Sequence, residues 1–324
     1  MRISAFAPGT VANVGPGLDV LGLALEGAGD TVAAEISRGG RIEIASAGHP
    51  EIPADPSANT AGIAAGEVRR RSGRTSEGIR LSIRKGLPLS GGQGGSAASA
   101  VAAAVAVNAL FGSPLSRGEL LEACVEAESR VAGRHADNVA PSLLGGIVLV
   151  HSLDPPDIVP LRYPESLLVV LAEPEARLST REARGRLPAT VSRETAMAQA
   201  AHVGALVAAL ASGDLALLRR SIADAIAEPA RAPLLAGFAE AKAAALGAGA
   251  CGCSISGSGP AAFAFAPDRA RGEAIAAAMI AAYGSRGVAA RARVTRIDPQ
   301  GARLVESGEA GSPGNGTAGE KGRG

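Results

Sequence analysis

Aromatic side chains are the scarcest material in this 324-residue chain, which has five Phe, two Tyr and no Trp. Proteins that bind single-stranded nucleic acid by base stacking, or quaternary ammonium groups in aromatic cages, need several rings. Charge is also scarce, since 19% of the residues are Asp, Glu, Lys or Arg and the formal net charge is +1. This composition excludes a basic nucleic-acid footprint and a chain kept disordered by charge. We therefore expect no nucleic-acid partner.

Lysine is nearly absent, because only three of the 32 basic residues are lysines. A Walker-type phosphate loop, G-x-x-x-x-G-K-[ST], needs a lysine directly before serine or threonine. Lys85, Lys242 and Lys321 instead precede Gly, Ala and Gly, which excludes that loop. The surplus of arginine is typical of a GC-rich coding sequence.

Targeting and membrane signals are missing as well. The start, MRISAFAPGT, has neither the basic nor the long apolar region of a secretory signal, and the apolar window 97–110 is too short to cross a bilayer. Cys124, Cys251 and Cys253 show no metal-binding spacing beyond one Cys-x-Cys, so we expect buried, reduced thiols. These features predict a cytoplasmic protein with no membrane partner.

The chain does contain enough apolar residues, 47%, for a sizeable core, and its length predicts two domains. Apolar periodicity predicts strands near 3–6, 31–36, 41–45, 78–83, 146–151, 167–172, 253–256, 261–266 and 289–297. It predicts helices near 59–72, 96–110, 120–131, 191–211, 215–226, 234–246 and 269–283. Because strands and helices do not alternate strictly, this order favours an α+β fold. We expect domains at 1–160 and 161–306 and a disordered tail at 307–324, which is rich in Gly, Pro, Ser and charge.

A glycine-rich segment, GLPLSGGQGG at residues 86–95, is the strongest candidate for chemistry. Glycines let backbone N–H groups turn inward around an anion, and the segment runs into an alanine-rich helix whose expected N-cap is Ser96. The unpaired N–H groups of that helix would face the same cavity. From the spacing alone, a phosphate site and a glycine-tolerant turn are equally good interpretations. A dinucleotide-binding fingerprint is excluded, because no strand leads directly into the first glycine.

The segment resembles the phosphate loop of the GHMP kinases, the family of galactokinase, homoserine kinase, mevalonate kinase and phosphomevalonate kinase, with the pattern P-x-x-x-G-L-G-S-S-A. Gln93 stands where leucine is usual and Gly95 where the first serine is usual, while Ser96 remains. Further segments resemble the homoserine kinase branch in consistent order. They are FAPGTVANVGPGLD (6–19), ESRVAGRHADNVAPSLLGGIVLV (128–150), LSTREARGRLP (178–188), EPARAPLLAGF (228–238) and GCSISGSGPAAFA (252–264).

The resemblance covers about residues 3–297 and implies a two-domain α+β fold whose active site lies in the cleft between the domains. It implies ATP and Mg²⁺ as cofactors, with residues 1–160 binding ATP. Ser96 and Glu128 would hold Mg²⁺, which takes few protein ligands, although Glu128 could also be a solvated carboxylate beside Arg130. Asn59 would approach the base or the ribose. The triphosphate would lie on Leu89, Ser90, Gly91, Gly92, Gln93, Gly94, Gly95 and Ser96.

The implied acceptor is the hydroxyl of L-homoserine, which also carries an ammonium and a carboxylate. Asp19 would bind the ammonium, and Arg184 and Arg231 the carboxylate, because guanidinium groups bind carboxylates in bidentate fashion. Thr180 would orient Arg184 or a phosphate. Without the resemblance, each of these arginines is more simply a solvated surface residue.

Three more residues, Asn13, His135 and Asn138, would lie near the hydroxyl, although His135 alone would more simply be a structural histidine. Family members that act on mevalonate or galactose use a carboxylate base, whereas this chain has Asn138 in the sequence HADN. Because Asn accepts no proton at neutral pH, we expect direct phosphoryl transfer with the hydroxyl polarised by hydrogen bonds. Asp137 is the alternative base, and we expect Asn138 to point into the site instead.

Two alternatives remain open at this point. One is a GHMP-type kinase that acts on another small alcohol, and the other is a relative that binds nucleotide without catalysis, which Gln93 and Gly95 would favour. Dimers are common in the family, so a homodimer is one expectation for the assembly.

Overall fold

The computed structural model describes residues 1–131 and 133–306, apart from the side chains of Thr180 and Arg181. The tail at 307–324 that we expect to be disordered lies outside the described residues. The strands are β1 Arg2–Ala12, β2 Leu21–Ser37, β3 Ile42–Ser46, β4 Gly78–Arg84, β5 Ile147–Leu153, β6 Pro156–Leu161, β7 Leu168–Pro174, β8 Cys253–Ile255, β9 Ala262–Ala266, β10 Ala290–Thr295 and β11 Arg303–Val305. The helices are α1 Thr60–Arg71, α2 Gly95–Leu110, α3 Arg117–Ser129, α4 Val139–Leu144, α5 Thr180–Gly185, α6 Arg193–Ser212, α7 Leu215–Ser221, α8 Ala227–Arg231, α9 Phe238–Gly247 and α10 Arg269–Ser285, with a 3₁₀ turn at Ala232–Leu234.

The described strands form two sheets. A seven-stranded sheet has the order β11-β1-β2-β4-β3, with β5 pairing with both β2 and β6, and a four-stranded sheet has the order β10-β7-β9-β8. The β3–β4 pair is parallel and the other pairs are antiparallel. This mixture of mainly antiparallel sheets with packed helices is the α+β class predicted from the sequence.

Three apolar clusters hold the sheets and helices together. The first packs α1, α2 and α3 against the seven-stranded sheet. The third packs α9 and α10 against the four-stranded sheet. The second joins the halves, since Leu23 of β2 and Ile147 of β5 share it with Phe263 of β9 and Leu206 of α6. The two halves therefore meet through a packed core, and the edge of this core is where a cleft can form.

Helix α2 is the central element of the first half. Its sequence, GSAASAVAAAVAVNAL, has no charged residue, and most of its side chains are buried. A helix that is apolar on every side is stable only when it is surrounded, which fits its position between the sheet and α1 and α3. Its small alanines let neighbouring backbones approach closely.

The termini of several elements differ from the sequence-based predictions. The prediction of one helix at 215–226 was wrong, because α7 ends at Ser221 and an irregular stretch at 222–226 separates it from α8. Elements α4, α5, β6 and β11 were not predicted, since they are short and β6 begins and ends in proline-rich sequence. β11 pairs with β1, so residues 303–305 lie in the first sheet although we placed them in the second domain.

The three cysteines, Cys124, Cys251 and Cys253, are free and buried, as the sequence predicts. Burial raises the pKa of the Cys253 thiol to about 12, so it stays protonated at neutral pH. These residues act as small apolar side chains in the core.

Helix α6 is the one helix in the described part of the chain whose length and hydropathy would allow it to cross a membrane. Leu206, Ala209 and Leu210 of this helix are instead buried in the cluster that joins the two halves. A core helix of a globular protein meets the same criteria, so the pattern is weak evidence for a membrane span.

A buried ion pair connects the seven-stranded sheet to the start of α2. The side chain of Asp30 on β2 is fully buried, and it bonds to Lys85, which directly follows β4. Ser99 of α2 donates to Asp30 Oδ2 at 2.7 Å, and Lys85 Nζ donates to the carbonyl oxygen of Gly95 at 2.8 Å. Every polar atom of this group therefore has a partner, which is the condition under which a buried charge pair is tolerated.

We predict that Asp30→Ala lowers the free energy of unfolding by about 3–5 kcal/mol, because it leaves the Lys85 ammonium buried without its counter-charge. Urea unfolding followed by circular dichroism measures this. The matched control is Glu43→Ala, whose carboxylate pairs with Arg80 where both side chains are about half exposed, and which we expect to cost less than about 1 kcal/mol. Equal losses in the two variants would contradict the prediction.

Candidate active site

A cavity of about 370 Å³ lies between the two halves of the chain. Each predicted site residue whose side chain is described lines this cavity. They are Asn13, Asp19, Asn59, Leu89, Ser90, Gly91, Gly92, Gln93, Gly94, Gly95, Ser96, Glu128, His135, Asn138, Arg184 and Arg231. Thr180 begins α5, and because its side chain lies outside the described residues, its role stays a prediction.

The glycine-rich loop enters α2 differently from our expectation. The N-cap is Gly94, in the left-handed region at φ +65°, and the helix begins at Gly95. The prediction that Ser96 caps the helix was therefore wrong. Gly94 has no side chain to accept from the first N–H groups of the helix, and the Ser96 hydroxyl is directed to Glu128 instead. The N–H groups that a cap would have satisfied are left for an anionic ligand in the cavity.

Close packing explains why glycine is needed in this loop. A Cβ on Gly94 would lie 2.1 Å from Thr10 Oγ1 and 2.6 Å from Asn138 Oδ1. A Cβ on Gly92, which also has a positive φ, would lie 2.6 Å from the carbonyl oxygen of Ser256. Real Cβ atoms do not approach so closely, so both positions require glycine for space as well as for backbone conformation.

Gln93, which replaces the usual leucine of the family pattern, anchors the glycine-rich loop to its neighbours. It is 1% exposed, and its Oε1 accepts from Arg293 Nη2 on β10 at 2.9 Å. Its carbonyl oxygen accepts from the N–H of Thr10 at 3.0 Å. Burial lowers the pKa of Arg293 from its ordinary value. The substituted residue thus ties the loop to both sheets.

Ser96 and Glu128 have the chemistry of a magnesium site. Ser96 Oγ donates to Glu128 Oε2 at 3.1 Å, and Glu128 is 2% exposed. Its Oε1 is buried and has no hydrogen-bond partner among the described residues. Burial raises the pKa of this carboxyl group, because desolvation disfavours its charged form. A hydroxyl beside an unpartnered carboxylate oxygen suits the oxygen-ligand preference of Mg²⁺.

The alternative interpretation of Glu128, a solvated carboxylate beside Arg130, is wrong. Arg130 Nη2 lies 3.1 Å from Glu126 and 3.6 Å from Glu67, on the exposed side of α3. Glu128 lies on the opposite, buried side of that helix.

Asn59 has a structural role that the sequence analysis missed. Its Oδ1 accepts from the N–H groups of Ala61 at 3.0 Å and Gly62 at 3.4 Å, so it caps α1, and its Nδ2 donates to the carbonyl oxygen of Pro53 at 2.8 Å. Both ends of its amide are occupied, although the residue lines the cavity. An asparagine just before an apolar helical pattern is the signal that could have identified this cap.

Asp19 and Arg184 form an ion pair on the wall of the same cavity. Nη2 and Nη1 of Arg184 donate to Asp19 Oδ1 and Oδ2 at 2.7 and 3.1 Å. The hydrogen bond to Asp19 raises the pKa of Arg184. Both side chains are 38% exposed, so ligands can reach this pair from the cavity.

Arg231 lies beside this pair and is 3% exposed. Its Nη1 donates to the carbonyl oxygen of Gly257 at 3.0 Å, and within the part of the chain that the structure describes it makes no ion pair with a carboxylate. Burial and the nearby charge of Arg184 lower its pKa. A buried cation without a counter-ion is costly, so this guanidinium is arranged to receive an anion.

Asn13 organises the loop that carries Asp19. Its Nδ2 donates to the same Gly257 carbonyl oxygen at 3.0 Å, and its Oδ1 accepts from the N–H of Asp19 at 2.9 Å. Both Asn13 and Asp19 have a positive φ. The amide that we expected near the substrate hydroxyl is therefore used to shape the loop.

His135, Asp137 and Asn138 lie together on the cavity wall. Asn138 Oδ1 accepts from Thr10 Oγ1 at 2.6 Å. Asp137, which is 2% exposed, has Oδ1 3.2 Å from His135 Nδ1, an ion-pair distance without hydrogen-bond geometry. Asp137 thus reaches the cavity as well as Asn138, contrary to our expectation that Asn138 alone would do so.

The pKa of His135 reflects two opposing effects. Burial lowers it, but the contact with Asp137 and the charges of Asp137, Glu128 and Asp19 together outweigh burial and raise it above 6.5. The neighbouring carboxylates therefore favour the charged form of the imidazole more than burial disfavours it. The 3.2 Å contact holds His135 and Asp137 together.

Sequence reasoning also missed Lys85, which lines the same cavity near the start of α2. We considered it only as a Walker lysine, and its following residue excluded that role. Its spacing from the glycine loop was the available signal.

Comparison with protein-family models gives two matches. The GHMP kinases N terminal domain matches residues 59–146, and the GHMP kinases C terminal model matches residues 206–285. The chain belongs to the GHMP kinase family. The predicted family, the two-domain α+β fold and the phosphotransferase class are thereby confirmed.

Individual relatives in this family carry a more specific name. The chain is 42% identical to the homoserine kinase of Arabidopsis thaliana over 95% of this chain and 85% of the relative. It is 41% identical to the homoserine kinase of Chlorobaculum tepidum over 94% of this chain and 98% of the relative. The crystal structure of homoserine kinase from Cytophaga hutchinsonii has a TM-score of 0.90 at 40% identity, covering 94% of this chain and 97% of that one. A Lactococcus lactis galactokinase, at 17% identity and a TM-score of 0.69, shares the fold.

We predict that Gly94→Ala weakens ATP binding about tenfold or more, because overpacking at such a site costs about 1–3 kcal/mol and 1.4 kcal/mol is a tenfold change. Titration calorimetry with a non-hydrolysable ATP analogue measures this. Gly118→Ala in α3 is the control, since the nearest atom to its Cβ would be Ser116 Oγ at 3.9 Å. An unchanged affinity in Gly94→Ala would contradict the assigned loop geometry.

We predict that His135 stabilises the fold in a pH-dependent way. Because its pKa in the folded state is raised above 6.5, the stabilisation is fully present below about 6.5 and is lost as the pH rises through the folded-state value. His135→Gln should therefore lose more unfolding free energy at pH 6 than at pH 9, measured by urea unfolding. His202→Gln on α6 controls for the loss of a histidine. A loss that is independent of pH would rule out the charged imidazole.

Proposed function

We propose that this protein is a homoserine kinase, which transfers the γ-phosphoryl group of ATP to the hydroxyl of L-homoserine and yields ADP and O-phospho-L-homoserine, on the route to threonine. The observation that carries this proposal is the buried Arg231 guanidinium, which has no carboxylate partner in the described chain and lies beside the Asp19–Arg184 pair. A polyol substrate would leave the Arg231 charge without a counter-ion, whereas the carboxylate of an amino acid would supply one.

The substrate, like the Asp19–Arg184 ion pair that would bind it, carries one positive and one negative charge. In the proposed complex, the homoserine ammonium binds the Asp19 carboxylate, and its carboxylate binds Arg184 and Arg231. The zwitterion thus replaces one internal ion pair with two intermolecular ones, and the buried Arg231 gains a counter-ion. Charge-assisted hydrogen bonds of this kind are the strong ones.

The glycine-rich loop supplies the phosphate site. The N–H groups of residues 91–96 and the positive end of α2 would hold the triphosphate, since Gly94 leaves them without a side-chain cap. Lys85 lies close by, where its ammonium group is paired with Asp30 and donates to the carbonyl oxygen of Gly95 at the first turn of α2.

Ser96 and Glu128 would hold Mg²⁺ beside the phosphates. When bound, the ion supplies neutralisation of the phosphate charge. Apart from that, the carboxylate of Glu128 and the hydroxyl of Ser96 fix one side of the nucleotide end of the cavity.

The transfer proceeds without a carboxylate base in this proposal. Asp137 Oδ1 lies 3.2 Å from His135 Nδ1, and Asn138, whose Oδ1 accepts from Thr10, cannot accept a proton. The hydroxyl is polarised by hydrogen bonds and positioned in line with the γ-phosphate. Its oxygen bonds to the γ-phosphorus as the bond to the β,γ-bridging oxygen breaks and ADP leaves, and the hydroxyl proton passes to an oxygen of the transferred phosphoryl group. Positioning and charge stabilisation contribute most of the catalysis of phosphoryl transfer.

For the cellular setting, we propose a cytoplasmic enzyme that works as a homodimer, as is common in its family. Analytical ultracentrifugation of the purified protein tests the assembly. A single monomeric species at micromolar concentration would contradict it.

We predict that Arg231→Met lowers kcat/KM for L-homoserine about 10- to 100-fold, because hydrogen bonds to charged groups contribute about 1.5–3 kcal/mol. Turnover of 3-aminopropan-1-ol, which lacks the carboxylate, should stay within a few-fold of the wild-type value. Coupled ADP release measures both, and Arg286→Met, an exposed arginine paired with Glu240, is the control. If another alcohol is phosphorylated and homoserine is not, or if no acceptor stimulates ADP release, the proposed function is wrong.

We predict that Asp137→Ala retains most of kcat, because Asp137 positions His135 and does not take the proton. Single-turnover kinetics at saturating L-homoserine measures this without product release. Asp19→Ala serves as the comparison, since it should raise the KM for homoserine. A loss of kcat of about ten-thousand-fold in Asp137→Ala, the upper range for a general base, would show that Asp137 is the base.

A further inference from the structure

The two segments that carry the proposed substrate-binding residues are joined by one buried side chain, Gln199 of α6. We infer that Gln199 is a positioning residue, which together with Asp224 sets the distance between the Asp19 loop and the Arg231 helix. This inference rests on the proposed function. It concerns residues that none of the family motifs includes.

Gln199 is the one polar residue among the buried residues of α6. It is 8% exposed, and the other buried residues of α6 are Leu206, Ala209 and Leu210. A buried amide is costly unless its hydrogen-bonding groups are satisfied. The partners of Gln199 therefore show what the residue is there to hold.

Both hydrogens of the amide and its oxygen are engaged. Nε2 donates to the carbonyl oxygen of Pro16 at 2.7 Å and to Asp224 Oδ1 at 2.9 Å. Oε1 accepts from the N–H of Ala225 at 2.8 Å. One side chain thus joins a segment of the first half of the chain, at Pro16, to a segment of the second half, at Asp224 and Ala225.

Pro16 lies in the loop between β1 and β2 that begins at Asn13 and carries Asp19. This loop has positive φ angles at Asn13, Gly15 and Asp19, so its path depends on a few anchoring contacts. The carbonyl of Pro16 is one such anchor, and Gln199 is its donor.

Asp224 holds the other segment. Its Oδ1 accepts from the N–H groups of Ile226 at 2.9 Å and Ala227 at 3.0 Å, and its Oδ2 accepts from Glu228 at 2.8 Å. These are the first N–H groups of α8, which ends at Arg231. A helix of one turn has little stability of its own, so this carboxylate fixes where Arg231 points.

The chemistry at position 199 is specific to glutamine. A glutamate could not donate to the Pro16 carbonyl and would repel the Asp224 carboxylate. Methionine has a similar volume but neither donates nor accepts as the amide does. In Gln199→Met, the Asp19 loop and the segment before α8 would remain packed together, but they would lose the hydrogen bonds to the Gln199 amide that join them.

The test is steady-state kinetics of Gln199→Met in the full-length enzyme. We expect the KM for L-homoserine to rise about tenfold, as the loss of about one to two net hydrogen bonds predicts, while the KM for ATP stays within twofold. A merely structural role would lower the amount of folded enzyme without separating the two KM values. Met197→Gln, which alters an exposed residue on the same helix, is the control.

A double-mutant cycle tests whether Gln199 and Asp224 act as one unit. If they do, Gln199→Met combined with Asp224→Ala raises the KM for homoserine no more than the larger single effect. Strictly additive effects, or unchanged KM values in both single variants, would overturn the inference.

Should Gln199→Met fail to fold, Gln199→Asn is measured in the same way, because its shorter side chain keeps the amide but moves it away from its partners. If the wild-type enzyme does not phosphorylate homoserine, the proposed function fails instead.

Discussion

The site depends on a close backbone contact between three loops from distant parts of the chain. The N–H of Thr10, at the end of β1, donates to the carbonyl oxygen of Gln93 at 3.0 Å, and the N–H of Gly257 donates to Ala12 at 3.0 Å. Ser256 Oγ donates to the carbonyl oxygen of Gly92 at 2.6 Å. A Cβ on Gly92 would lie 2.6 Å from the carbonyl oxygen of Ser256, so glycine at position 92 is a condition for the cleft itself. Packing of the second apolar cluster brings the halves together, and these bonds fix their register.

Charge inside the cleft is arranged in two groups. In the group around the start of α2, Lys85 is neutralised by Asp30, while the buried Glu128 keeps one oxygen without a partner among the described residues. In the group around Asp19, Arg184 is neutralised by this carboxylate, and Arg231 makes no ion pair with a carboxylate in the described chain. Each group therefore offers one charged side chain to a ligand, and each charge has the sign opposite to the ligand that we propose for it. This arrangement needs few lysines and no aromatic stacking, which agrees with the composition.

Sequence motifs predicted which residues meet in the cleft, but not what each side chain does there. Asn59 and Asn13 line the cavity as predicted, yet their amides cap a helix and shape a loop, because their oxygens accept from backbone N–H groups close to them in sequence. The left-handed conformation of Gly94, which moves the helix start away from Ser96, leaves no trace in a glycine-rich sequence. Gln93 and Arg293 are 200 residues apart, so only folding reveals their contact. Gln199 also bonds a partner far away in sequence, Pro16, and it belongs to none of the motifs, so its role too is visible only in the fold.

The central claim is that the cleft holds L-homoserine between the Asp19–Arg184 pair and the glycine-rich loop. A crystal structure with L-homoserine and a non-hydrolysable ATP analogue tests it most directly. The account predicts the homoserine carboxylate on Arg231 and Arg184, its ammonium on Asp19, and its hydroxyl facing the γ-phosphate held at residues 91–96. Density for homoserine away from Arg231, or an amino acid bound with its ammonium toward the arginines, would contradict it.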